Sequence, residues 1–146
     1  MTDDRAVSST VGFVLNLAIA TLLVSSLLIA AGNVVDDRRE SAARGELRIV
    51  GQRLAANLMT ADRLAGAGGE TVRVDADLPD RIAGGSYIVT VNGSAPRQHI
   101  ELVSPDTDVR VVVYFESSTT VEDATLDGGD VQVVRAGDGD LEVRRP

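Results

Sequence analysis

The sequence predicts an α+β protein: a long N-terminal helix, transmembrane in its first half and amphipathic in its second, packed on a small antiparallel β-sheet domain. Three observations predict it. No charged side chain occurs from Ala6 to Val35. Apolar residues then recur at three- and four-residue steps as far as about Leu64. Beyond residue 70 the apolar period falls to two.

The uncharged segment reads AVSSTVGFVLNLAIATLLVSSLLIAAGNVV. As a helix it is about 45 Å long, against a hydrocarbon core of about 30 Å. Between Val11 and Val35, 14 residues are Leu, Ile, Val or Phe. At membrane-insertion values they contribute about −4 to −8 kcal/mol, which Asn16, Asn33 and the hydroxyl residues reduce without reversing. A helix with no polar face does not suit the surface of a soluble domain. A cleaved secretory signal carries an apolar run of about 7–15 residues, roughly half of this one. Ala30 and Gly32 nevertheless suit a signal peptidase cut before Asn33, which would release a soluble domain.

Asp36-Asp37-Arg38-Arg39-Glu40 marks the exit from the span, and no proline or glycine interrupts the helix before Gly45. Leu47, Val50, Leu54, Leu58 and Ala61 form one stripe, while Arg48, Gln52, Arg53, Asp62 and Arg63 fall mostly on other faces. Glu40 and Arg44 are i,i+4 partners. Gly66-Ala67-Gly68-Gly69 stops the helix. Strands are expected at Thr71–Ala76, Tyr87–Val91, Ile100–Val103, Val109–Phe115, Val131–Val134 and Leu141–Val143. Turn chemistry separates them at Asn92-Gly93, Ser104-Pro105-Asp106, Asp127-Gly128-Gly129-Asp130 and Gly137-Asp138-Gly139-Asp140. Short connections predict antiparallel neighbours in one sheet. So small a sheet needs the helical stripe to complete its core.

Composition narrows the function classes. Acidic residues number 22 and basic residues 14, for a net charge of −8, and every basic residue is arginine. A net-negative chain is poorly suited to nucleic acid, whose phosphates demand clustered cations. Lysine-free, Asp-rich composition resembles that of proteins from salt-loving archaea, where a Debye length of about 3 Å at molar salt screens the acid load. The absence of cysteine excludes disulfides and thiolate chemistry.

Asp3-Asp4-Arg5-Ala6-Val7-Ser8-Ser9-Thr10-Val11-Gly12, running directly into the apolar helix, resembles the start of haloarchaeal type IV pilin-like proteins. Gly45–Leu54 and Leu78–Gly84 extend the likeness to an uncharacterised membrane-anchored pilin-like family. The resemblance implies a class III signal peptide, cut by a prepilin peptidase between Arg5 and Ala6, ahead of a helix that is retained. Residues 1–5 are then a short charged leader, 6–35 the transmembrane helix, 36–66 its amphipathic continuation and 70–146 an extracytoplasmic antiparallel β domain. It implies a minor pilin or pseudopilin of the cell surface, single-pass, with its C-terminal domain outside. Its partners are the membrane and copies of itself or other pilin-like subunits in a surface filament. Two positions depart from the family pattern: Ser9 stands where proline is usual, and Thr10 where bacterial pilins carry glutamate. Counting arginines (Arg5 before the span; Arg38, Arg39 and Arg44 after it) favours the opposite orientation. The alternative is a single-pass anchored binding domain of unknown ligand, or a secreted domain released near Gly32.

No enzyme is expected, and no catalytic, cofactor-binding or metal-ligating set is assigned. His99 is the sole histidine and reads as a surface residue in a strand. The chain has no P-loop or dinucleotide fingerprint and no nucleophile elbow. The Asp/Gly clusters at 127–130 and 138–140 offer oxygen ligands but match no EF-hand loop and read as turns. Asn92-Gly93-Ser94 fits the N-glycosylation acceptor pattern and equally a hairpin turn.

Overall fold

The computed structural model describes the backbone of residues 3–146 and the side chains of residues 11–32 and 34–146. The architecture is α+β: helix α1 (Asp3–Gly66) is followed by seven strands. The chain divides into two compact units, residues 1–38 and 39–146.

In the second unit, residues 39–66 of α1 form one wall of the core. Ala43, Leu47, Val50, Leu54, Ala55, Leu58, Ala61 and Ala65 are all buried, a stripe at helical spacing. The Glu40–Arg44 pair forms on the exposed face, at 2.5 Å. The helix ends in a Schellman motif. Gly68 has φ +89°, its N–H donates to the Ala65 carbonyl, and the Gly69 N–H donates to that of Leu64. Glycine suits Gly68 because a Cβ is strained in that backbone conformation.

The strands form two sheets rather than the single one expected. β1 (Arg73–Ala76), β6 (Val131–Arg135) and β7 (Leu141–Arg144) are ordered β1-β6-β7. β2 (Ile88–Asn92), β3 (His99–Ser104), β4 (Val109–Tyr114) and β5 (Ala124–Asp127) are ordered β4-β3-β2-β5. All pairings within the two sheets are antiparallel. β5 was not among the expected strands. Its alternation is half-buried and its sequence, ATLD, carries little β-branched or aromatic signal.

The expectation that a short connection joins sheet neighbours fails at Asp127–Asp130. There the chain leaves β5 and enters β6 in the other sheet. Packing around the turn holds the two apart. A Cβ on Gly128 would fall against the Tyr87 ring, Gly129 has φ +110°, and Asp130 accepts a hydrogen bond from the Leu78 N–H at 3.2 Å. The segment leading into β5 is tied to β7 by a parallel bridge, where Glu122 N–H donates to Leu141 O and Leu141 N–H to Thr120 O, at 2.9 and 2.8 Å.

Alternation then sorts the side chains. Val89, Val91, Ile100, Leu102, Val109 and Val111 point inward from one sheet, and Ala76, Val131, Val133, Leu141 and Val143 from the other. Gly51 lets the helix backbone approach the four-stranded sheet: a Cβ there would lie 2.7 Å from Leu102 Cδ1 and 2.8 Å from Val113 Cγ2.

Candidate functional site

The first unit is dominated by apolar side chains that its own fold leaves uncovered. Phe13 is 70 % exposed, Leu22 68 % and Leu28 69 %. The most apolar 18-residue window has mean hydropathy 2.4, and none of it is buried. One helix is therefore long and apolar enough to cross a membrane. Two of its hydroxyls are satisfied within the helix: Thr21 and Ser26 donate to the Leu17 and Leu22 carbonyls one turn back, at 2.9 and 2.8 Å. Arg5 and Ala6 lie within the helical backbone, but their side chains, like Met1 and Thr2 of the leader, fall outside the described residues.

In the second unit, pairing parity sends Tyr114, Val112 and Arg110 of edge strand β4 to the outer face. They stand beside His99, Glu101 and Val103 of β3. Arg97 stacks on the Tyr114 ring, 3.9 Å from its centroid, and His99 lies 6.0 Å from the same ring. The His99 Nδ1 pairs with the Arg97 carbonyl oxygen at 2.9 Å. Arg110 and Glu101 form an ion pair. Met59, Arg97, Tyr114, Phe115 and Glu116 border an open depression of about 290 Å³. Its lining offers contact chemistry: a half-exposed tyrosine, a stacked guanidinium and a thioether.

Several carboxylates tie down loops. Partial burial by itself would raise the Asp62 carboxyl. Hydrogen bonds from the Thr119 side chain and the Thr119 and Ser118 N–H groups outweigh it, so the group ionises below its ordinary range. Those two N–H groups lie 2.8 and 3.1 Å from Oδ1. Asp123 is also held low, first by the Ser94 hydroxyl and then by the Ser94 N–H at 3.0 Å. In the Asp/Gly clusters, Asp130 binds the Leu78 N–H and Asp138 the Asp140 N–H. Among the described residues, no three Asp, Glu or His side chains gather as a metal site.

A family model described as a family of unknown function (DUF7266) matches residues 2–145. The chain belongs to that family. Because the match runs through both α1 and the sheets, the apolar segment is as much part of the DUF7266 unit as the folded domain. No curated protein and no solved structure matches the chain significantly.

Asn92 ends β2, half-buried and in register with His99. The Asn-Gly step is not a tight two-residue turn, since residues 93–98 form the loop. Gly93 is required for a different reason: the Val121 carbonyl occupies the space a Cβ would need. The Arg97–Tyr114 cluster on this DUF7266 domain went unremarked in the sequence. Its signal was the parity of β4, in which Val109, Val111, Val113 and Phe115 point inward and so turn Tyr114 outward.

Proposed function

We propose that the protein is a pilin-like surface subunit, anchored by its N-terminal helix and displaying the β domain outside the cell. The uncovered apolar surface of Val11–Gly32 carries this reading. Exposed to water, so much apolar area is strongly unfavourable; lipid or neighbouring helices must cover it. The charged start through Arg5, followed at Ala6 by the apolar run, supports prepilin-type clipping. The lysine-free, acidic composition supports a high-salt surface environment. In this role no chemistry is required of the β domain. A second reading, an anchored binding module with no filament, is favoured by the Arg97–Tyr114 depression, since tyrosine and arginine are the side chains that carry most contact energy.

The N-terminus and intact mass of protein purified from native or related membranes separate these readings. A membrane-bound chain starting at Ala6 supports the pilin-like subunit. An unclipped membrane-bound chain favours the anchored module. A soluble chain starting at Asn33 would overturn both. The same mass reads glycosylation at Asn92: a mass excess abolished by Asn92→Gln assigns the glycan, and an unaltered mass rejects it.

A further inference from the structure

Among the described side chains of the apolar span, Asn16 alone carries an amide, whose hydrogen-bonding capacity its own helix cannot meet in full. Thr21 and Ser26 already bond to carbonyls of their own helix, and the Ser25 hydroxyl can reach Thr21 O in the same way. An asparagine amide has two donors and an acceptor. A continuous helix spends its backbone N–H groups on its own carbonyls, so nothing in it can donate to Asn16 Oδ1. Asn16 lies about 7 Å along the helix from the middle of the uncharged run, well inside a hydrocarbon half-thickness of about 15 Å. Water is absent at that depth, and an unmet amide there is costly.

We propose that Asn16 is the polar contact through which two copies of this chain associate within the membrane. The inference rests on the anchor reading above. A second copy is the fitting occupant because it inserts in the same orientation and brings an identical amide to the same depth. Two asparagines are mutually complementary, each donating through Nδ2 and accepting through Oδ1 across a two-fold contact. Gly12 and Ala20 lie one turn either side on the same face, a small-residue seam bordered by Phe13 and Ile19, along which the backbones can approach.

The absence of cysteine makes the test direct. Full-length protein carrying Ala20→Cys, on the Asn16 face, or Ala18→Cys, on the opposite face, is reconstituted into phospholipid vesicles and treated with a short thiol cross-linker. Ala20→Cys should give several-fold more covalent dimer than Ala18→Cys. Adding Asn16→Leu should weaken association by about three- to thirty-fold, while Asn16→Gln preserves it. Vesicle flotation separates the two levels of failure. Protein that floats but cross-links equally well with Asn16→Leu, or better through position 18, overturns the contact and leaves the anchor standing. Protein that does not float overturns the anchor and the contact together.

Discussion

Gly51 and Gly45 lie on the same helix and should respond oppositely to alanine. On an open helical surface, Gly→Ala stabilises by about 1 kcal/mol, because glycine loses more backbone freedom on folding. Gly45 fits that case: nothing lies within 4 Å of a Cβ built there. Gly51 does not. Its Cβ would meet Leu102 Cδ1 at 2.7 Å, Val113 Cγ2 at 2.8 Å and Val113 Cβ at 3.4 Å. Leu102 is fully buried, and β-branched Val113 has no long arm to swing aside. Overpacking of this kind costs about 1–3 kcal/mol, which outweighs the propensity gain and leaves a net loss of about 1 kcal/mol. At about 4–8 °C per kcal/mol, the two variants should melt on opposite sides of the wild type, about 8–16 °C apart. Thermal unfolding of the full chain in detergent, followed by circular dichroism in the β region, measures this. Gly51→Ala melting as high as Gly45→Ala would refute the seating of α1 on the four-stranded sheet.

Leu54→Ala, at a fully buried position of the stripe, should cost about 2–5 kcal/mol in chemical denaturation. Tyr87→Phe removes the hydrogen bond from Tyr87 Oη to Pro79 O, 2.6 Å long, and should cost about 1 kcal/mol. Burial raises the Tyr87 phenol above its ordinary 10.0. The unfolded chain therefore ionises first, and wild-type stability should fall as pH rises past 10, less steeply in Tyr87→Phe. Asp62→Ala frees the Ser118–Thr119 loop and should cost about 1–2 kcal/mol near neutral pH. Because the folded state lowers the Asp62 carboxyl, its stabilisation is present above the ordinary 3.8 and lost as pH falls below it. Acid titration of unfolding should accordingly be shallower in Asp62→Ala.

Elements whose signal is local and periodic were legible in the order of the residues. The uncharged run needs only hydropathy and length. The stripe from Leu47 to Ala61 and the alternation of Val109–Phe115 expose the 3.6- and 2-residue periods directly, and Gly66–Gly69 supplies the stop. Tertiary structure decided what depends on partners distant in sequence. The ladder between β2 and β5 exists because Ile88–Val91 finds Ala124–Asp127; nothing within four residues of ATLD signals that pairing. The split into two sheets is set at Gly128 and Gly129 by the Tyr87 ring and by Asp130 reaching Leu78, contacts that no turn rule contains. Gly93 illustrates the same division. Its position after Asn92 reads as a hairpin signal, yet what demands glycine there is the carbonyl of Val121, which folding alone brings alongside.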